Sequence, residues 1–296
     1  MSPVQRRLLL CTDMDGTVIP YAAPEDPDAR PRLRRLCTDP GVTLVYVTGR
    51  DADLVRAALA EYDLPTPAYA VTDVGACIHR VGPDGSWSCW EDWPATIAAD
   101  WQGQTQDTLH PHLAELPGLR LQPDSCQQAF KLSYFWDLDQ WDGPTLVQAV
   151  EERLAPLGLV SEVTVSRAAE YAIGLLDVLP QRATKRHAVE FLQQQLHYAP
   201  HEVVFAGDSG NDLTVMDSAC RAILVANAGD EVKQAARARA AAAGHADALY
   251  IATGDQGYGN GNYAAGVLEG IAWFCPEWAE AVRPESGRPA QSKRKS

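Results

Sequence analysis

An α/β fold, with a parallel sheet covered by helices on both faces and an α+β segment inserted into it, is predicted by two observations. Short runs of Val, Ile and Leu alternate with helical stretches, and these runs are nearly continuous in apolar residues, as strands buried on both faces require. The middle of the chain breaks that rhythm, with longer and more amphipathic elements from about residue 86 to 181. The predicted division is a core at 1–85 and 182–282, an insert at 86–181 and a flexible tail at 283–296.

The elements follow in order. RLLLCT is a strand that stops at Thr12, and TLVYVTG (43–49) is a second. It leads into RDADLVRAALAEY, where Leu54, Ala57, Ala58 and Leu59 form a helical stripe. AYAVTDVGA reads as a third strand running into a glycine turn. In the insert, a helix is predicted from about Pro94 to Leu116, then a strand AFKLSYFW, a helix GPTLVQAVEERLAPL, and strands EVTVSR and EYAIGLLDVL. That order predicts a small antiparallel sheet with helices on one face. Lys185 stands at the head of a helix, ATKRHAVEFLQQQL. EVVFAGD, RAILVAN and ALYIAT are then strands, separated by the helices DLTVMDSA and DEVKQAARARAAAA, and NYAAGVLEGIAWF is a last helix.

With 296 residues and 46% apolar content the chain can bury a sizeable core. A net charge of -14 sets it against nucleic acid and anionic membranes as partners. An anionic small substrate then needs a local cation or metal. The seven cysteines are odd in number, scattered and never spaced C-x-x-C, which predicts reduced packing thiols in a cytoplasmic protein. The opening MSPVQRRLLLC imitates a signal peptide, but its apolar stretch stops at Asp13, and no stretch approaches a membrane span.

In open α/β sheets the ligand crevice lies at the carboxyl ends of the strands. Asp13 and Asp15 follow the first strand, Thr48 ends the second, and Asp208 and Asp212 follow EVVFAG. Gathered there, buried carboxylates without partners cost several kcal/mol each, so a cation must join them. Mg²⁺ suits an all-oxygen set completed by water and substrate phosphate, and no His/Cys set has zinc spacing. Read singly, each stretch has a plainer meaning. DMDGT also fits a bend at Asp15-Gly16, and Thr48 and Asp51 also fit the cap of a helix that begins near Ala52. GDSGND also fits a polar loop, and Lys185 a solvated surface charge.

The succession DxDGT, TGR, a lysine opening a helix and GDSGND resembles the haloacid dehalogenase (HAD) superfamily of aspartyl phosphotransferases over nearly the whole chain, and the insert resembles the type IIB cap. FKLSYFWD, LDVLPQRATKRHAV and YAAGVLEGIAWF are similar to sucrose-phosphate phosphatases and mannosylfructose-phosphate phosphatases. The resemblance implies a Rossmann-like core, Mg²⁺ as cofactor and a set of roles. Asp13 is then the nucleophile and Asp15 the acid and base. Thr48, with the backbone amides of Gly49 and Arg50, holds the phosphoryl oxygens, Lys185 offsets their charge and Asn211 reaches the phosphate. Asp13, Asp208 and the backbone carbonyl of Asp15 hold the metal, while Asp212 orients a metal water or Lys185. The chain departs from the pattern at Asp51, where a small polar residue is expected, and at Arg182 and Thr184, where many relatives have glycine.

Six of the eight tryptophans fall in the insert: Trp87, Trp90, Trp93, Trp101, Trp136 and Trp141. Indole faces suit sugar rings, but a small domain also needs bulky residues for its own core. Lys131, Gln181 and Arg182 are candidate substrate contacts at the edges of the insert. The expected function is Mg²⁺-dependent hydrolysis of a sugar phosphate, a disaccharide phosphate above all and sucrose 6-phosphate first. Mannosylfructose phosphate or another sugar phosphate is the alternative substrate. The rival readings are a phosphomutase and a non-catalytic partner of a glycosyltransferase of the same pathway.

Overall fold

The computed structural model of the protein describes residues 6–168 and 173–284. The predicted tail beyond residue 284 and the first residues of EYAIGLLDVL lie outside these. The strands are β1 (Leu8–Thr12), β2 (Val42–Val47), β3 (Tyr69–Thr72), β4 (Cys77–Val81), β5 (Trp87–Cys89), β6 (Leu119–Leu121), β7 (Leu132–Trp136), β8 (Ser161–Ala168), β9 (Ile173–Pro180), β10 (Val203–Gly207), β11 (Arg221–Leu224) and β12 (Leu249–Ile251). Packing divides the chain into two compact units, and the fold is α/β. Among the described residues, no helix is long and apolar enough to cross a membrane.

Among the described residues, the first unit comprises 6–46, Arg56–Pro67 and 196–284. Its strands lie in the order β12-β11-β10-β1-β2 and are all parallel. Every residue of β1 and β10 is buried, which explains their unbroken apolar runs: helices cover both faces. Helices Ala29–Cys37 and Ala264–Phe274 pack together, the latter also against β10 and β11, while Asp230–Ala242 packs on β12. Strand order reverses between β1 and β10, since the chain steps from β1 to β2 on one side and from β10 to β11 and β12 on the other. The register Thr12↔Ala206 brings the residues that follow β1 and β10 to one edge at that switch point, where a crevice opens in such sheets.

Among the described residues, the second unit comprises Val47–Val55, 68–168 and 173–195. Here β3, β4 and β5 form an antiparallel ladder, and a four-stranded antiparallel sheet runs β6-β7-β9-β8. Leu132, Tyr134 and Trp136 of β7 and Leu176 and Val178 of β9 alternate inward onto Leu109, Leu113, Leu146 and Val150. These come from helices Gln106–Leu113 and Gly143–Leu154, and each such aliphatic side chain contributes about 1.5–3 kcal/mol by burial. Asp142 caps the second helix, accepting the Thr145 N–H at 2.9 Å, with Pro144 in its first turn.

The single helix expected from Pro94 to Leu116 is corrected to two, Asp92–Ile97 and Gln106–Leu113. Gln102 and Gly103 break it with φ of 52° and 79°, a left-handed turn that no α-helix accommodates. Trp93, Trp101 and Trp136 are all but fully buried. Their indole N–H groups donate to the Gly75 carbonyl, the Ser161 hydroxyl and the Leu175 carbonyl. These three tryptophans build the interior of the unit.

Candidate active site

In the first unit Asp13 follows β1 directly. Its N–H donates to the Ala206 carbonyl at 2.8 Å, extending the ladder to β10, and its Oδ1 accepts the Met14 N–H at 2.8 Å. The side chain is thereby held at the sheet edge and is only 4% exposed. One carboxylate oxygen each from Asp13, Asp208 and Asp212 lies within 4.8 Å of the others. Asp212 is buried, and its Oδ2 accepts the N–H groups of Asp208 and Ser209, each at 3.1 Å. It therefore shapes the loop that presents Asp208. Asn211 is exposed, with its Oδ1 accepting the Ser209 hydroxyl at 3.0 Å.

Three carboxylates converging at a mostly buried edge repel one another unless a cation lies among them. The donors are all oxygen, which suits a hard ion such as Mg²⁺. The Asp15 carboxylate is not part of this group. Gly16 has φ +74°, and a Cβ there would overlap the Asp208 carboxylate, so the turn after Asp15 tolerates only glycine. Thr17, fully buried, donates its hydroxyl to Asp208 Oδ1 at 3.1 Å. Thr17 fits the DxDGT pattern, and the sequence alone left open whether it stabilises the turn or touches another group.

In the second unit Thr48 is 1% exposed, and its backbone pairs with Val71 and Val74. The Arg50 N–H donates to Thr48 Oγ1 at 3.2 Å, which leaves the hydroxyl proton of Thr48 for another acceptor. Gly49 and Arg50 precede helix Ala52–Glu61, whose first turn Asp51 caps by accepting the Leu54 N–H at 2.8 Å. The neighbouring loop is strained, because Asp73 and Val74 have φ of 54° and 61°, rare for any L residue and rarer for a β-branched one. It stays in register by donating the Asp73 N–H to Arg50 and the Val74 N–H to Thr48. At Gly75, φ +117°, a Cβ would fall 2.5 Å from the Thr184 carbonyl carbon. This close approach sets the loop beside the start of helix Lys185–Gln195, whose first side chain, Lys185, is 1% exposed.

The edge candidates have protein partners. Lys131, 7% exposed, donates to Asp73 Oδ1 at 3.1 Å. Arg182 holds Asp100 through Nε at 2.8 Å, Nη2 at 2.6 Å and its backbone N–H, and this bonding raises its pKa. Gln181 is exposed. Asp73 was not anticipated, because a partner at Lys131 is invisible to any local pattern.

Burial pushes the Asp73 carboxyl above its ordinary 3.8, with Lys131 and Thr72 opposing the shift. A carboxyl raised on folding adds stability while both states are protonated and loses it as pH climbs from 3.8 through the folded value. Lys131→Met removes the opposing charge and widens that window. We expect a loss of about 3 kcal/mol at pH 7, less at pH 5, largely recovered in the double variant Lys131→Met/Asp73→Asn. Urea unfolding of the three proteins at both pH values checks this.

The family model described as sucrose-6F-phosphate phosphohydrolase matches residues 6–275. A protein of Nitrosococcus oceani with the provisional name HAD-like hydrolase is 44% identical over 287 residues, 96% of this chain and 76% of its own length. The mannosylfructose-phosphate phosphatase of Agrobacterium fabrum is 28% identical over 268 residues, 89% of this chain and 95% of that protein. Among solved structures, the sucrose-phosphatase of Synechocystis sp. PCC6803 in complex with sucrose and phosphate superposes with a TM-score of 0.69 at 27% identity, covering 91% of this chain and 98% of that one. With a family match over most of its length and the acidic cluster at the switch point, the chain belongs to the sucrose-6F-phosphate phosphohydrolase family, HAD-type phosphoric monoester hydrolases.

Proposed function

We propose that the protein hydrolyses the phosphate monoester of a disaccharide, sucrose 6-phosphate first, through an aspartyl-phosphate on Asp13. The observation that carries this reading is the convergence of Asp13, Asp208 and Asp212 at the point where strand order reverses. Mannosylfructose phosphate is the alternative substrate, supported by the Agrobacterium relative.

In this mechanism Asp13 attacks phosphorus in line, and the sugar alkoxide leaves. Asp15 gives that oxygen its proton and then takes one from the water that splits the aspartyl-phosphate. Thr48, the amides of Gly49 and Arg50, Lys185 and Asn211 hold the phosphoryl oxygens and balance their charge. Asp13, Asp208, Asp212 and the Asp15 carbonyl would hold Mg²⁺, which supplies the positive charge that lets an anionic nucleophile meet an anionic substrate. Residues 86–181 act as the cap that selects the leaving group, with 1–85 and 182–282 as the catalytic core.

The test is a phosphate-release screen over sucrose 6-phosphate, mannosylfructose phosphate, trehalose 6-phosphate and monosaccharide phosphates. We expect a disaccharide phosphate to be preferred by at least about tenfold in kcat/KM, with activity lost to chelator and restored by Mg²⁺. Transfer of phosphate to a second sugar in place of release would favour a phosphomutase. Binding without turnover would favour a non-catalytic role.

A further inference from the structure

We propose that Asn227 and Tyr263 are positioning residues that fix Asp15 where it can exchange a proton with the leaving oxygen; the inference rests on the acid-base role of Asp15 proposed above. Both lie in the first unit, far from the DxDGT turn in sequence. Asn227, just beyond β11, donates its amide to the Gly16 carbonyl at 2.7 Å and accepts the Tyr263 N–H on Oδ1 at 2.8 Å. A carbonyl on one side and an N–H on the other settle the orientation of the amide. The Gly16–Thr17 peptide, one residue beyond Asp15, is thus bonded to a side chain 211 residues away in sequence.

Tyr263 pins the same segment further on. Its hydroxyl accepts the N–H groups of Tyr21 at 3.1 Å and Ala23 at 2.9 Å, and the residue is 1% exposed. Next to the first anchor, Asp15 bridges to Ile19, and the Gly16 N–H donates to the Ile19 carbonyl at 2.9 Å. Tyr263 itself has φ +50° and ψ -133°, a conformation an L residue keeps only where its surroundings over-determine it. Here they do. The buried Glu269 carboxylate accepts the N–H groups of Thr253 and Gly254, each at 2.9 Å, and the Tyr250 hydroxyl at 2.7 Å. Asn260 and Asn262 donate their amides to the Pro24 carbonyl at 2.8 and 2.9 Å. Loop 253–263 is therefore a rigid frame clamped by Glu269 and applied, through Asn227 and Tyr263, to the turn that carries Asp15.

A general acid works only within hydrogen-bond reach of its target, and a displacement of about 1 Å costs on the order of 100-fold. In the first step, which kcat/KM reads, the cost falls on substrates whose leaving group needs a proton; the later attack of water is common to all substrates and enters only kcat. An alkoxide leaving from a sugar phosphate does; nitrophenolate leaving from p-nitrophenyl phosphate does not. For Asn227→Ala we expect kcat/KM on sucrose 6-phosphate, or on the sugar phosphate the screen prefers, to fall about 10- to 100-fold, while p-nitrophenyl phosphate changes by less than about threefold. Tyr263→Phe, which keeps the ring and its packing, is expected to show the same split and carries the test if Asn227→Ala folds poorly. Equal losses on both substrates, or no loss on either, would overturn the proposal by making the frame purely structural or idle. A wild-type protein inactive on every phosphate ester would instead overturn the functional reading, and this proposal with it.

Discussion

Asp13→Asn is expected to lower turnover of the preferred sugar phosphate by at least about 10⁴-fold while leaving the fold intact. The amide keeps the shape of the side chain and an Oδ1 that can still accept the Met14 N–H, a contact of 2.8 Å in the native protein. It cannot form the acyl-phosphate, because a neutral amide oxygen is a poor nucleophile. Removing one charge from a cluster of three carboxylates also relieves repulsion, so without metal the thermal midpoint should hold or rise, whereas affinity for Mg²⁺ should fall. Asp15→Asn makes the contrast. Asp15 is outside the cluster, so its amide variant should still take up phosphate from an activated ester and then stall. Steady-state kinetics, with intact-mass spectrometry for the trapped phosphoenzyme, distinguish the two; equal and mild effects from both would contradict the assigned roles.

Gly16→Ala should be nearly as severe for a different reason. No charge or nucleophile is removed, yet the new Cβ would occupy the space of the Asp208 carboxylate, on a backbone at φ +74°. Either Asp208 moves off the cluster or the DxDGT turn opens, and each displaces a carboxylate of the proposed mechanism by about 1 Å, worth on the order of 100-fold in rate. Weaker binding of Mg²⁺ should accompany the loss. Gly244→Ala is the control. Its φ is +77° with nothing within 4 Å of a Cβ, so it should cost about 1 kcal/mol of stability and leave the rate unchanged. If the two variants lose equal activity, crowding at Asp208 is not the cause.

The frame around Asp15 explains why the loop TGDQGYGNGNY, with no catalytic residue assigned to it, is bonded so closely to the turn after β1. The Asp73–Lys131 pair plays a comparable part in the second unit, where it ties a strained loop, itself hydrogen-bonded to Thr48, to the start of β7. In both places the chemistry is assigned to short motifs, and their placement depends on residues with no motif of their own.

Much was legible in the residues alone. Unbroken apolar runs at LLLCT, TLVYV, VVFAG and AILVA announced the parallel strands, and the acids that follow LLLCT and VVFAG announced a gathering of carboxylates at the strand ends. Short, half-exposed strands were not legible: β5 and β6 are three residues each and carry no clear alternation, and the break at Gln102-Gly103 was hidden inside an amphipathic stretch. Hydrophobic runs, caps and turns are properties of neighbouring residues, so the sequence by itself determined the longer elements, the fold class and the identity of the acidic residues. Tertiary structure alone decided which carboxylates meet, that Thr17 donates to Asp208, that Lys131 faces Asp73, and that Asn227 reaches Gly16. Those contacts depend on strand order and register, which bring distant residues together and leave no trace in the local pattern of either partner.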